Sequence, residues 1–511
     1  MYKLTFKTFL PVALALFLTG CATAPLDFPK THSEALAGTG DTVLGKGVAG
    51  WTAGRPEQSG FYPLSKGLDA LGARLALIDR AERTIDAQYF LMKPDSAGRL
   101  FAGKLLEAAD RGVRVRLLLD DIFTTVKDDG FILLNQHPNI ELRLFNPVGR
   151  GGLYYLNYVG HFKLANRRMH NKSFTVDNQV SIVGGRNIAD EYFELLDDAE
   201  FADFDMLAFG PVAAEISTTF DRFWNHELSV PMEAFETDKE TQDLATVRAN
   251  VDKAAIEASQ TIYGRALASP LIREMLENRV EPYFATSRVI TDDPDKLLNK
   301  VSDDQKVLIT ALAGLLDEAD SEVIVVTPYF IPGKSGVEFW RSITGKGVRV
   351  VIITNSLASN NHTPVHSAYA RYRHDMLDAG VELYEVRVDA SKLPEGDTGP
   401  SYDSLTLHTK LVLIDRRLTF VGSLNLDPRS IDINTEAGVL VENSALAGRI
   451  GEKISEALPS FTYRVTENEK GRLRWTVEID GKEVIEKNEP QAGGWLRFKA
   501  WLYRAAPESQ L

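Results

Sequence analysis

Hydrophobic and polar positions along the chain divide it into two stretches that repeat the same order of predicted elements. Strand-like runs at 84–90 and 323–330 each end in Tyr-Phe, and a helix-like segment follows each of them. A Gly then closes each helix, and the β-branched runs at 113–119 and 348–353 are typical of buried strands. The pattern predicts an α/β fold in which two pseudo-symmetric domains, each a mixed β-sheet flanked by helices, follow one another.

The repeat is clearest in two motifs, HNKSFTVDNQVSIVGGRN at 170–187 and HTKLVLIDRRLTFVGSLN at 408–425. One offset of 238 positions relates five pairs of residues: His170 and His408, Lys172 and Lys410, Asp177 and Asp415, Gly184 and Gly422, and Asn187 and Asn425. Chance would not keep five such positions in register. The period is also far too long for a solenoid, so we expect the two copies to pair with each other.

Strand periodicity predicts that the His and Lys of each motif act together. If Met169–Val176 forms a strand, His170 and Lys172 lie on the same face, because side chains two positions apart share a face. His408 and Lys410 have the same spacing. Two His and two Lys would then converge on one pocket if the copies meet face to face.

These side chains are cationic and rich in hydrogen-bond donors, which suits phosphodiester chemistry. The two Lys and the amides of Asn187 and Asn425 can bind phosphate oxygens. The small pairs Gly184-Gly185 and Gly422-Ser423 leave room for backbone to approach a bound group. One neutral His can attack phosphorus, while the other His donates a proton to the leaving alkoxide. Carboxylate clusters for Mg²⁺ and closely spaced ligands for Zn²⁺ are lacking, so we predict no metal and no cofactor.

The acidic residues near the motifs have two predicted roles. A catalytic His needs an acceptor for its second ring nitrogen, and Asp203 and Glu436 are the downstream candidates. Asp177 and Asp415 have the opposite strand parity to the His residues and lie at turns. We therefore interpret Asp177 and Asp415 as structural residues and not as bases.

A further His pair, His362 and His366, has the i, i+4 spacing that can bridge a metal on a helix. The intervening Pro364 favours an early helix turn instead. A position lining a lipid or acceptor pocket is the functional interpretation that we prefer for this pair. Arg371–Arg373, in the same segment, either contacts a headgroup or forms a solvated helix face.

The N-terminus has the layout of a secretory signal peptide. Lys3 and Lys7 precede an apolar run from Phe9 to Leu18, which is too short and wrongly flanked for a transmembrane helix. The run ends in LTGC, which resembles the cleavage and lipidation site of bacterial lipoproteins, and Cys21 is the single Cys of the chain. The resemblance implies that Cys21 becomes the acylated N-terminus, with no disulfide in the mature protein. Ala22 after it implies sorting to the outer membrane, on the periplasmic side of the envelope.

Charge argues against a nucleic-acid ligand. The formal net charge of the chain is −14, and it becomes −16 without residues 1–20, which carry two Lys and no acid. Such a surface repels a polyphosphate backbone, although local basic pockets can override the net charge.

Composition divides the chain into six segments. We predict the signal peptide at 1–20, a tether and entry segment at 21–65, the first α/β domain at 66–235, a helical connector at 236–300, the second α/β domain at 301–455, and a hairpin with an amphipathic tail at 456–511. Within the last segment, GWLRFKAWLYR at 494–504 is basic and rich in Trp. We favour a helix docked on the core here, and a membrane-surface contact is the alternative.

The two motifs match the HxKxxxxD signature of the phospholipase D superfamily, and the resemblance covers 66–455. The stretches GGRNIADEYF, NLDPRSIDINTE and VTPYFIPG resemble the cardiolipin synthase C-type branch, as does the Trp-containing tail. The resemblance implies a two-step phosphatidyl transfer through a phosphohistidine. His170 would be the nucleophile and His408 the acid/base, whereas the residues alone do not distinguish these roles. It further implies that Lys172, Lys410, Asn187 and Asn425 bind phosphate, and that Asp203 and Glu436 orient the His residues.

The implied substrates are phosphatidylglycerol and a second phospholipid, such as phosphatidylethanolamine, with cardiolipin as product. A protein partner is left open. Hydrolysis to phosphatidic acid by an exported phospholipase D is an alternative, as are a nuclease of the same superfamily and a non-catalytic surface lipoprotein. The net charge counts against the nuclease, and two complete motifs count against the scaffold.

Overall fold

The computed structural model describes residues 24–122, 128–150, 166–196, 199–235, 249, 262–277, 279–298, 305–390, 404–479 and 481–511. The predicted signal peptide and Cys21 lie outside this part of the chain, as does most of 236–261. In the described ranges, none of the helices has both the length and the apolar composition needed to cross a bilayer.

Twenty strands carry the fold in the part of the chain that the structure describes. They are β1 (Ser59–Leu64), β2 (Thr84–Tyr89), β3 (Arg114–Asp120), β4 (Ile140–Phe145), β5 (Ser173–Val176), β6 (Val180–Gly184), β7 (Ala199–Ala202), β8 (Asp205–Phe209), β9 (Ser229–Pro231), β10 (Tyr283–Thr291), β11 (Glu322–Val326), β12 (Arg349–Asn355), β13 (Glu382–Val386), β14 (Ser404–Leu407), β15 (Leu411–Ile414), β16 (Leu418–Gly422), β17 (Ala437–Glu442), β18 (Thr462–Glu467), β19 (Leu473–Ile479) and β20 (Lys482–Glu486).

The α-helices cover the sheet and connect its strands. They are α1 (Val43–Trp51), α2 (Gly67–Arg80), α3 (Ser96–Asp110), α4 (Asp128–Asn135), α5 (Pro211–Trp224), α6 (Gly264–Leu267), α7 (Pro270–Leu276), α8 (Val307–Asp317), α9 (Gly333–Gly345), α10 (Thr363–Tyr369), α11 (Arg373–Asp378), α12 (Pro428–Asp432), α13 (Ser444–Phe461) and α14 (Gly494–Tyr503). Gly112 and Gly347 follow α3 and α9 with φ of 93° and 89°, the left-handed conformation with which a Gly ends a helix.

Eighteen of the strands form one continuous sheet with internal two-fold pseudo-symmetry. In the first half, β4, β3 and β2 are parallel, and β5, β6, β8 and β1 then continue the sheet antiparallel. The second half repeats this order as β13, β12, β11, β15, β16, β17 and β10. The halves join where β1 pairs with β10. The predicted fold class, two pseudo-symmetric mixed-sheet domains flanked by helices, is confirmed.

Three buried apolar clusters stabilise this arrangement. One lies within each half, and a third combines residues of both, including Met206 and Ile216 from the first and Leu411 and Val439 from the second. Burial of apolar surface across the junction stabilises the pairing of the two copies. The shared cluster thus holds the halves in one register, which positions the two motifs against each other.

Two local predictions need correction. The first motif is not a strand from Met169 onward, because β5 begins at Ser173 and Met169 makes only an isolated bridge to Thr435. The predicted helical connector at 236–300 contains β10, which links the two half-sheets, as well as short helices. Helix α14 docks on the second domain through Leu496 and Ala500, as favoured, while its aromatic side chains are exposed. The tail hairpin is present as β19 paired with β20, while the predicted domain boundaries stay predictions.

Candidate active site

Both His-x-Lys triplets lie in extended segments directly before a strand. His170 and Lys172 precede β5, and His408 and Lys410 lie between β14 and β15. All four side chains are buried. A break in the strand frees the backbone from the sheet ladder, so that each motif can hydrogen-bond to the opposite half of the molecule.

Those backbone bonds are the same in both halves. The His170 N–H donates to the carbonyl of Thr435 over 3.0 Å, and the His408 N–H donates to the carbonyl of Ala202 over 2.8 Å. Thr435 and Ala202 come directly before Glu436 and Asp203. Each motif is therefore bound to the segment that carries the candidate acid of the other repeat.

The side chains of the motifs also hydrogen-bond to the opposite repeat. His170 Nδ1 lies 2.9 Å from Glu436 Oε2, and His408 Nδ1 lies 2.6 Å from Asp203 Oδ2. Both carboxylates are buried. An Nδ1–H that donates to a carboxylate leaves Nε2 as the free ring nitrogen, which sets the tautomer of each imidazole. Neither repeat can orient its own His, so the site exists only when the two halves are paired.

Electrostatics keep both imidazoles neutral in the resting site. Burial lowers the pKa of His170 to about 4 against the opposing effect of Glu436, and Lys172 and Lys410 lower it further. Burial and Lys410 lower the pKa of His408 to about 3. Since Lys410 acts on His170 and Lys172 acts on His408, the two repeats share one electrostatic site. A neutral imidazole with a free Nε2 is the form that attacks phosphorus.

The pKa values of the two Lys side chains lie close to neutral pH. Burial lowers the pKa of Lys172 to about 7 and that of Lys410 to about 8. Lys172 Nζ donates to the His170 carbonyl over 2.6 Å, which fixes the ammonium group beside the ring. Although burial favours the protonated acids, the interactions with His170 and His408 and the charges of the two Lys hold the pKa of Glu436 and Asp203 below the usual range.

We expect the affinity for a phosphate diester such as dimethyl phosphate, whose charge is constant from pH 6 to 9, to fall as pH rises through 7 to 8. Below its pKa each Lys is charged, and above it the attraction is lost, by up to about tenfold per pH unit. Competitive inhibition measured across this range reports the change. Lys172→Gln should flatten the profile, while Lys346→Gln, at an exposed site, should leave it intact. Equal affinity at both ends of the range would show that the Lys charges do not bind the ligand.

The two Asn candidates are buried beside the motifs. Asn187 accepts from the Leu91 N–H at 3.2 Å and donates to the Tyr192 hydroxyl at 2.9 Å. Asn425 is bound more loosely, since its amide lies 3.4 Å from Ser430 Oγ and its Oδ1 has no protein partner in the described part of the chain. Their phosphate-binding role stays a prediction.

The small-residue pairs leave room for other protein atoms. The sequence had predicted that they leave room for a bound group. A Cβ on Gly185 would lie 2.1 Å from Asp203 Oδ1, and a Cβ on Gly422 would lie 2.3 Å from the Ala437 carbonyl oxygen. In the second repeat, Ser423 takes the place of Gly185, and its hydroxyl bonds to the backbone of Ala437. The glycines thus allow the orienting carboxylate segments to approach the motifs.

Asp177 and Asp415 hydrogen-bond to backbone and not to His170 or His408. Asp177 accepts three consecutive backbone N–H groups, from Glu82, Arg83 and Thr84, and Asp415 accepts the equivalent three from 320–322. Backbone bonds hold the pKa of Asp415 below its usual range despite partial burial. This geometry is that of the structural residues expected from strand parity.

We expect Asp177→Ala to destabilise the fold by about 2–3 kcal/mol, because it leaves three backbone N–H donors, including the buried one of Thr84, without their acceptor. Activity per folded molecule should not change. Urea unfolding followed by circular dichroism measures the first quantity, and turnover measures the second. Asp41→Ala, which removes an exposed ion pair with Arg83, is the control and should cost less than about 1 kcal/mol. A loss of turnover at full stability would give Asp177 a role in the chemistry.

The motifs themselves do not indicate the residues that surround the imidazoles. Phe90 contacts the His170 ring edge-on at 4.9 Å, and Phe201 stacks on the His408 ring at 5.4 Å. Buried Asp120 accepts from the Met169 N–H and pairs with Arg168, which anchors the backbone before His170. Phe90 could have been found from the Tyr-Phe pair that ends the second strand of each repeat. The contacts of Asp120 and Phe201 required the tertiary structure.

His362 and His366 do not form a metal pair. His362 is the N-cap residue directly before α10 and lies beside Tyr329, whereas His366 is buried and its Nε2 lies 3.1 Å from the Arg373 guanidinium. Arg373 is itself buried and pairs with Glu385 and Glu489, so Arg371–Arg373 is not simply a solvated helix face. In the described residues, no group of three or more His, Cys, Asp or Glu could hold a metal ion.

Comparison with known proteins places the chain in a family. The model of the cardiolipin synthase, PLD-like domain matches residues 75–224 and 312–458. Cardiolipin synthase C of Escherichia coli (strain K12) is 38% identical over 458 residues, covering 88% of this chain and 96% of that protein. An uncharacterized protein of Helicobacter pylori (strain ATCC 700392 / 26695) is 32% identical, covering 99% of this chain and 100% of that protein.

A solved structure supports the fold. Phosphatidylserine synthase of Haemophilus influenzae Rd KW20 superposes with a TM-score of 0.53 at 14% sequence identity, covering 79% of this chain and 87% of that one. The family match includes both motifs, with their His and Lys residues. The resemblance found in the motifs is confirmed: the chain belongs to the cardiolipin synthase family of phospholipase D-like enzymes.

Proposed function

We propose that this enzyme is a phosphatidyltransferase that forms cardiolipin from phosphatidylglycerol and a second phospholipid. The observation that carries the proposal is the crossed pairing of two buried imidazoles with two buried carboxylates, beside two buried Lys. This arrangement supplies a nucleophile, an acid/base and cations for a phosphoryl centre. Family membership supports a phospholipid substrate.

In the first step, Nε2 of His170 attacks the phosphorus of the donor lipid. A P–N bond forms, the P–O bond to the headgroup alcohol breaks, and a proton from His408 neutralises the departing alkoxide. His408 must first take up that proton, and the negative charge of the bound phosphate favours the uptake. Lys172 and Lys410 stabilise the charge on the phosphoryl oxygens.

In the second step, neutral His408 takes the proton of the acceptor hydroxyl. The acceptor oxygen attacks phosphorus, the P–N bond breaks, and His170 returns to its resting form. When the acceptor is the glycerol hydroxyl of phosphatidylglycerol, the product is cardiolipin. When the acceptor is water, the product is phosphatidic acid, so access of water to the intermediate decides between transfer and hydrolysis.

The test incubates the purified chain with phosphatidylglycerol and phosphatidylethanolamine and follows the lipids by mass spectrometry. We expect cardiolipin with release of a free headgroup, and neither product from His170→Ala. Phosphatidic acid in place of cardiolipin would assign the enzyme as a phospholipase D. Nicking of plasmid DNA without lipid turnover would assign a nuclease, and no turnover of either substrate would support a scaffold.

We also propose that acyl chains on Cys21 anchor the enzyme to the bacterial envelope, on the periplasmic side of the outer membrane. The basis is the leader and the LTGC sequence. Intact mass of the purified protein should show loss of residues 1–20 and addition of acyl groups, and membrane fractionation should recover it with the outer membrane. Cys21→Ala should abolish acylation. An unprocessed chain of full mass would contradict the proposal.

A further inference from the structure

The C-terminal helix α14 presents an apolar face that no other part of the described chain covers. Trp495, Phe498, Trp501 and Leu502 are 76%, 50%, 61% and 58% exposed. A helix turns 100° per residue, so these four positions fall within one third of its circumference. The rings of Trp495, Phe498 and Trp501 contact one another in series, which makes the face continuous.

The opposite face of α14 attaches the helix to the second domain. Ala500 is buried and Leu496 half-buried in a small cluster with Leu357 and Ala492. The Arg497 guanidinium also donates to the Glu489 carbonyl over 2.8 Å. Because Leu496 and Ala500 provide the contact with the core, the aromatic residues are not needed to hold the helix in place.

Cationic side chains lie next to the apolar face. The helix borders a cleft of about 890 Å³ that is lined by seven Arg and Lys residues. Arg371 and Arg373 are in ion pairs, and the other five are Arg472, Arg474, Lys487, Arg497 and Arg504. None of the five forms an ion pair with an acid of the described residues, and Glu489, which also lines the cleft, is engaged by Arg373. On the helix itself, Arg497 and Arg504 flank the apolar face on one side and Lys499 flanks it on the other.

This local charge is opposite to that of the whole chain, whose formal net charge is −14. A cluster of unpaired cations on an acidic protein selects for a negatively charged partner. Aromatic and aliphatic side chains beside such a cluster bury apolar area in the acyl boundary of a bilayer while the cations meet lipid phosphates. A nucleic acid would satisfy the cations, but it would leave Leu502 and the outer face of Phe498 in water.

We propose that α14 and the adjoining cationic cleft form a peripheral membrane site for anionic phospholipids. The four apolar side chains enter the interface, and Arg472, Arg474 and their neighbours bind lipid phosphates at the cleft. Together with an acyl anchor near the other end of the chain, this contact would hold the second domain at the bilayer surface. The site is separate from the His-Lys chemistry and does not depend on phosphatidyl transfer.

The test uses the two exposed Trp as reporters. Of the six Trp, Trp224, Trp340 and Trp475 are at most 4% exposed and Trp51 is partly buried. The full chain, carrying His170→Ala so that lipid is not consumed, is added to phosphatidylglycerol vesicles with brominated acyl chains. Bromine in the acyl layer should quench Trp emission. The substitutions Trp495→Phe and Trp501→Phe together should remove most of this quenching, because they remove the reporters.

Two further variants test the apolar face and the cations separately. Phe498→Gln with Leu502→Gln keeps both reporters, and it should reduce quenching at least about threefold by weakening insertion. Arg472→Gln with Arg474→Gln should reduce quenching on phosphatidylglycerol vesicles but not on phosphatidylcholine vesicles. Val43→Gln, at a residue that is 58% exposed on α1, is the matched control and should change nothing. Circular dichroism checks that each variant is folded.

Three results would overturn the proposal. The first is absence of bromine quenching in the parent chain. The second is quenching that Phe498→Gln with Leu502→Gln leaves unchanged. The third is binding of duplex DNA that Arg472→Gln with Arg474→Gln abolishes, because the surface would then serve nucleic acid. None of these measurements depends on whether the active site transfers or hydrolyses, so the two proposals fail independently.

Discussion

The His170→Ala variant should form no covalent intermediate, whereas His408→Ala should form one and release it slowly. In the proposed mechanism His170 supplies the Nε2 that bonds to phosphorus, so its loss should lower turnover by about 10⁴-fold or more. His408 supplies a proton to the leaving group, a contribution of about 10²–10⁴-fold for a poor leaving group such as an alkoxide. A p-nitrophenyl ester leaves without protonation, so His408→Ala should still react with it.

Intact-mass analysis after rapid acid quenching measures the intermediate, and release of p-nitrophenol measures its formation. His408→Ala should show a burst of p-nitrophenol and a persistent mass increase at His170. His32→Ala, at an exposed His, should behave like the parent enzyme. A persistent adduct on His408 in the His170→Ala variant would exchange the two roles. Absence of an adduct from every variant would exclude the covalent route.

The Glu436→Gln substitution should lower turnover by about 10²–10⁴-fold although Glu436 never touches the substrate. The carboxylate accepts the proton of His170 Nδ1 at 2.9 Å and so keeps the Nε2 lone pair free for attack. An amide can offer its NH₂ group to Nδ1, which favours the tautomer with the proton on Nε2. Asp203→Asn should act in the same way on His408.

The two positioning residues should differ in the step that they slow. Glu436→Gln should slow formation of the intermediate with every leaving group, whereas Asp203→Asn should slow it only with poor leaving groups and should also slow its breakdown. A purely structural role would affect both steps and all leaving groups alike. Glu442→Gln, a half-exposed carboxylate that pairs with Arg417, is the matched control. Unchanged turnover in Glu436→Gln would show that the hydrogen bond does not set the tautomer.

The crossed arrangement also explains why two copies must be present in one active molecule. Each repeat carries one His, but the carboxylate that hydrogen-bonds to this His belongs to the other repeat. The apolar cluster at the junction and the pairing of β1 with β10 fix this exchange. Mutations at the junction, away from the predicted phosphate site, should therefore lower activity because they displace Glu436 and Asp203 from the two His residues.

Much of this organisation could be predicted from the amino-acid sequence, because it depends on short-range pattern. Periodicity identified the repeated strands and helices, and the constant offset identified the His, Lys, Asp and Asn pairs. Strand parity separated Asp177 and Asp415 from the chemistry, since parity is a local property of an extended chain. Asp203 and Glu436 could be nominated as acceptors, but not assigned to a particular His.

Only the tertiary structure decided which acid serves which His, and which face of the tail is exposed. Glu436 lies 266 positions from His170, and Asp203 lies 205 positions from His408, so sheet pairing and burial across the junction determine both contacts. Helix α14 was identifiable from composition and its docking was expected, but the sequence did not indicate which of its faces packs on the second domain. Its orientation depends on Leu496 and Ala500 meeting a complementary surface on the second domain. A one-dimensional pattern specifies an amphipathic element, but the shape of its neighbour decides which side of it faces water.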